Sequence, residues 1–67
     1  MPDIKINGET RQIPEALTVA GLLEQLGYAG ERIAVERNGE IVPRSRYAET
    51  QLDAGDRLEI VGAGGGG

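Results

Sequence analysis

The chain's one reactive-looking feature is its end. Residues 62–67 read Gly62-Ala63-Gly64-Gly65-Gly66-Gly67, five of the 11 glycines in a chain of 67 residues. An α-carboxylate on Gly67 is ionised at neutral pH, and no Cβ stands near it to obstruct an approaching enzyme. Glycine also reaches backbone conformations closed to other residues, so such a segment can thread a narrow channel. Fully extended, six residues reach roughly 20 Å. A tail of this kind suits a carrier whose own C-terminus is chemically activated. Taken alone it reads better as a frayed end or an ordinary Gly-rich linker, and the rest of the chain reverses that preference.

What the chain lacks narrows the choice. It contains no cysteine and no histidine. That removes disulfide staples, thiolate metal sites and the commonest general base. The chain therefore reads as a substrate or carrier protein rather than an enzyme, binding no metal or cofactor of its own. The formal net charge is −4, and the seven basic residues are scattered rather than clustered, which argues against nucleic acid as a partner. No apolar run approaches the ~20 residues needed to span a bilayer. Met1-Pro2-Asp3 has no charged-then-apolar leader pattern, and a cytoplasmic protein is expected.

The elements that must present the tail follow from periodicity and turn chemistry. Asp3 to Asn7 alternates polar and apolar, Asn7-Gly8 is a hairpin turn signal, and Thr10 to Ile13 is the expected return strand. Thr18 is placed to cap a helix. Val19, Leu22, Leu23 and Leu26 share one helical face, and Gly27 stands where a left-handed stop is wanted. Gly21, inside that helix, marks expected close packing on the sheet. Ile33 to Arg37, a second Asn-Gly turn at Asn38-Gly39, and Glu40 to Val42 form a second hairpin, which Pro43 ends. Arg44 to Glu49 is a short helix or turn, Ala54-Gly55-Asp56 a turn, and Arg57 to Val61 a last strand. Asp53 and Asp56 are read as flanking an exposed turn, with no pocket between them.

One helix covers one sheet face, so the class is α+β. With the last strand beside the first, the arrangement is a β-grasp: a mixed sheet packed on one main helix, over residues 1–61, followed by a flexible tail, 62–67. The expected core is Ile4, Ile6, Ile13, Leu17, Val19, Leu22, Leu23, Leu26, Ile33, Val35, Val42, Leu52, Leu58 and Ile60. By strand alternation Lys5, Ala34, Glu36, Arg57, Glu59 and Val61 point out of the opposite face, a surface suited to a modest, reversible interface.

These pieces together resemble the ThiS family of sulfur carrier proteins, ubiquitin-like β-grasp domains of thiamin thiazole biosynthesis. The resemblance runs from the Asn7-Gly8 hairpin and the Thr18-Val19 helix start through Asn38-Gly39-Glu40-Ile41-Val42-Pro43-Arg44-Ser45. It continues through Gly55-Asp56 and Leu58 to Val61 to the terminal Gly-Gly. It implies that Gly67 is the covalent site. A ThiF-type adenylating enzyme would use ATP to join its carboxylate to AMP. Sulfur from a donor such as a cysteine desulfurase system would then replace AMP, leaving a thiocarboxylate. The thiazole synthase ThiG would receive that sulfur. Gly64, Gly65 and Gly66 would thread into the partner. The chain departs from the family at Gly64, where a bulkier aliphatic residue is usual, so the tail has no small apolar anchor there. Molybdopterin-synthase small subunits share the fold and the Gly-Gly end but lack as good a match to Ile41 to Ser45. A ubiquitin-like modifier, joined to lysines through Gly67, or an inert interaction module is the alternative from another class.

Overall fold

A computed structural model of the protein describes residues 1–28, 30 and 32–62. Five strands make one sheet: β1 (Asp3–Ile6), β2 (Glu9–Gln12), β3 (Ile33–Arg37), β4 (Glu40–Ile41) and β5 (Arg57–Gly62). Their order across the sheet is β2-β1-β5-β3-β4. β1 and β5 run parallel, and the other neighbours are antiparallel. The last strand thus lies between the two hairpins, beside the first, as the β-grasp reading requires.

Helix α1 (Val19–Leu26) covers one face of this sheet. The Thr18 hydroxyl accepts from Gly21 N–H at 3.1 Å, and the Thr18 carbonyl accepts from Leu22 N–H. Val19 and Ala20 N–H donate to the carbonyls of Thr50 and Tyr47, at 2.9 and 3.0 Å. Three orphan donors of the helix start, Val19, Ala20 and Gly21 N–H, are therefore paired, two of them by the irregular segment after the 3₁₀ turn at Arg44–Arg46. At the other end Gly27 takes φ +82°, and the Gly27 and Tyr28 N–H groups return to Glu24 and Leu23. That left-handed closure has the form of a Schellman motif, which glycine adopts without a Cβ penalty.

The core is aliphatic: Ile4, Ile6, Ile13, Val19, Leu22, Leu23, Val35, Val42, Leu52, Leu58 and Ile60 are buried in one cluster. Each such side chain contributes about 1.5–3 kcal/mol when fully buried. Leu17, Leu26 and Ile33, expected in the core, are only partly buried against it. Each sits at or just outside the end of its element, where one side meets solvent. The return strand is Glu9–Gln12 rather than Thr10–Ile13. The two-residue turn at Asn7-Gly8 closes the ladder at Ile6↔Glu9, leaving Ile13 to fold under the sheet with its N–H on the Pro2 carbonyl. β4 stops at Ile41, with Val42 buried beyond it. Gly21 does not face the sheet. A Cβ there would lie 2.8 Å from Leu17 Cδ1, so the missing side chain makes room for Leu17. β5 runs one residue past the expected boundary, and Gly62 pairs with Ile33.

Candidate functional site

The presenting strand is built to be held from both sides. β5 alternates buried Leu58 and Ile60 with outward Arg57, Glu59 and Val61. It pairs with β3 over its full length, from Arg37↔Leu58 to Ile33↔Gly62. Gly64, Gly65, Gly66 and Gly67, the residues assigned to threading and to the covalent site, lie outside the described residues, as does Ala63. What the structure does supply is the platform from which they continue.

The outward face matches the expected set. Lys5, Ala34, Arg57, Glu59 and Val61 are exposed and Glu36 half-exposed, and Ile41 joins them opposite Glu36. Two cross-strand pairs on this face bring like charges together, Glu36 opposite Glu59 and Lys5 opposite Arg57. Directly opposite like charges weaken a sheet, and among the described residues none of these four groups forms an ion pair. The apolar members are large and open to solvent: Val61 is 59% exposed and Ile41 62%. A face that forgoes its own electrostatic satisfaction while exposing aliphatic side chains has the composition of a docking surface.

The start of β5 is locked by a polar cluster in which Asp56 does hold its turn, through the Asp53 N–H, but from a buried position rather than an exposed one. Asp56 is buried, at 6% exposure, and not part of an open turn. Its carboxylate accepts from Arg37 Nε at 2.8 Å, Asn38 Nδ2 at 3.1 Å and the Asp53 backbone N–H at 2.8 Å. Arg37 Nη2 also reaches the exposed Asp53 carboxylate at 3.1 Å. Burial opposes ionisation of Asp56. The Asp53 N–H, Arg37 and Asn38 outweigh it, and the Asp56 pKa lies below the ordinary carboxylate value. The Arg37 pKa is raised, chiefly by its hydrogen bond to Asp56 against an opposing burial effect. Asn38 Oδ1 accepts from Arg57 N–H at 3.0 Å, so the second hairpin turn is tied to the first residue of β5. Both oxygens of the Asp56 carboxylate are committed to structural hydrogen bonds. Among the described residues no cluster of acidic side chains is arranged to hold a metal, and no helix is long and apolar enough to cross a membrane.

Asn7 does near the far end of β5 what Asn38 does at its start. Its Oδ1 accepts from Ile60 N–H at 2.9 Å and its Nδ2 donates to the Ile60 carbonyl at 3.2 Å. Turn chemistry accounts for both asparagines only in part, although both do adopt positive φ, +50° and +54°. The available signal was the choice of Asn over Asp in both turns. Only the amide can both donate and accept.

A mixed sheet whose last strand lies at its centre, between two hairpins and against one helix, defines the class of small β-grasp domains. The sequence pattern of the ThiS family matches residues 4–67, and the chain belongs to that family. Its fold superimposes with a TM-score of 0.83 on the crystal structure of a thiamine biosynthesis protein (ThiS) from Geobacter metallireducens. That protein is 34% identical, and the match covers 97% of this chain and 99% of the other. The chain is also 52% identical over 62 residues to a thiazole synthase of Paramagnetospirillum magneticum and 42% identical over 64 residues to one of Magnetococcus marinus. It covers 92% and 96% of itself in those matches but spans only 19% and 20% of the two synthases.

Proposed function

We propose that this protein is a sulfur carrier for thiazole formation in thiamin biosynthesis, a cosubstrate rather than a catalyst. The observation that carries the reading is the family match, which extends through Gly67, on a domain whose central strand runs without interruption to Gly62. The reading requires a free α-carboxylate on Gly67.

A carboxylate is a poor electrophile, so activation comes first. A Gly67 oxygen attacks the α-phosphorus of ATP on a ThiF-type enzyme, pyrophosphate leaves, and an acyl-adenylate results. A hydrosulfide-level sulfur, supplied by a desulfurase-type donor, then attacks the carbonyl carbon. The C–S bond forms, the C–O bond to AMP breaks, and loss of the proton leaves a thiocarboxylate with no change of oxidation level. Sulfur is the more polarizable nucleophile and attacks a carbonyl-level carbon of a sugar-derived substrate on the thiazole synthase, the C–S bond forming as the C=O π pair moves onto oxygen and takes up a proton. An oxygen nucleophile then cleaves the acyl–sulfur bond, recovering the carboxylate and leaving sulfur on the substrate. Gly64, Gly65 and Gly66 carry no side chain that would obstruct passage of the end into either active site.

The matches within two longer thiazole synthases support that enzyme as a partner, since functions joined in one chain must meet when they are separate. The outward sheet face around Glu59 and Val61 is the grip. In this reading the carrier meets both partner enzymes, and is recharged, in the cytoplasm. Incubation with an adenylating enzyme, ATP and sodium sulfide should raise the intact mass by the exchange of one oxygen for sulfur. An unchanged mass, under conditions that convert an established carrier, contradicts the reading.

A further inference from the structure

β1 leaves the sheet one step too early. Its last backbone bond to β5 is Asn7 N–H to the Leu58 carbonyl, 2.9 Å, after which the chain turns away at positive φ. The next β5 groups facing β1 are the N–H and C=O of Ile60, whose residue is 8% exposed. Buried backbone groups are almost always paired, and no β1 backbone remains to pair them. The Asn7 amide takes the place of the missing peptide group, accepting from one and donating to the other. It extends the β1–β5 ladder to the last buried residue before Val61 and Gly62.

We infer that Asn7 is a positioning residue for activation of the tail: it clamps the end of β5 so that the docking residues Glu59 and Val61 and the exit of the tail stand in one fixed arrangement. This rests on the carrier reading of Gly67. With the clamp gone, the partner must order the strand end as it binds, and that ordering weakens association. The carboxylate itself is unaltered. The loss therefore falls on KM for the carrier, not on kcat.

The Asn7→Gly variant isolates the amide, because glycine keeps the positive φ that the turn needs. Asn38→Gly is its counterpart at the start of β5, where the amide serves Arg57 and Asp56. Sulfur loading by an adenylating enzyme with ATP and sulfide should show a several-fold higher KM for Asn7→Gly, with kcat within a factor of about two of the parent. Asn38→Gly, corrected for folded fraction, should keep the parent KM. By NMR, the Ile60 amide should exchange faster in Asn7→Gly while the Val35 amide stays protected. An unchanged KM, or the same rise in both variants, overturns the inference. If the parent protein gains no sulfur at all, the carrier reading fails instead. The exchange comparison still decides whether Asn7 holds the strand end, and equal Ile60 protection in parent and variant overturns that.

Discussion

The two ends of strand β5 are held by the same device for different purposes. At the start, the Asn38 amide works within a buried charge cluster with Asp56 and Arg37. Near the end, the Asn7 amide works alone against the Ile60 backbone, with no charge nearby in its bonding. The start carries an ion pair to a buried carboxylate and its hydrogen bonds. The end is where the domain meets the tail, and its outward neighbours Glu59 and Val61 are left unsatisfied. The contrast teaches that a carrier domain can be firm where it is anchored and spare in its bonding where it must be gripped.

The comparison breaks most sharply if the tail is removed. Deleting Gly66 and Gly67 should abolish the sulfur mass gain completely while thermal unfolding stays where it was, because glycine has no side chain to bury and the core cluster among the described residues runs from Ile4 to Ile60. A truncated protein that still loads sulfur would place the reactive site elsewhere. At the other end, Asp56→Ala should cost about 3 kcal/mol, since it removes three hydrogen bonds and leaves Arg37 and Asn38 without their main acceptor. Denaturant unfolding reads that loss, and loading per folded molecule should not change.

Acid titration sharpens the same point. The folded Asp56 pKa is depressed, so its stabilisation is fully present above the unfolded-state value of about 3.9 and is lost as pH falls through the lower folded value. The parent should therefore lose stability below about pH 4, and Asp56→Asn should flatten that part of the profile. The smallest effect belongs to the outward face. Glu36→Gln relieves the like-charge pair with Glu59 and should stabilise the isolated domain by a few tenths of a kcal/mol. A decrease in melting temperature for Glu36→Gln would mean the pair is not repulsive.

Much of this was legible in the chain before any coordinates. The helix, both Asn-Gly hairpins and the outward residues of β5 follow from period and turn chemistry, which are local. The misplacements have non-local causes. Leu17, Leu26 and Ile33 share the apolar pattern, but burial at element ends depends on what packs beside them. Asp56 looked like a turn residue because its partners Arg37 and Asn38 are distant in sequence and arrive only through the β3–β5 pairing. The Asn7 clamp was hidden for the same reason, since the bond to Ile60 joins opposite ends of the chain. The proposed covalent site Gly67 and the threading residues Gly64, Gly65 and Gly66 are legible as chemistry alone and lie outside the described residues.

The central claim is that the folded domain serves to present one terminal carboxylate. The most direct test is a reconstituted thiazole-forming assay with the chain made as its C-terminal amide, beside the free acid. The account predicts that the amide folds with the same melting temperature, gains no sulfur and forms no thiazole. Thiazole formation by the amide at the rate of the free acid would contradict it.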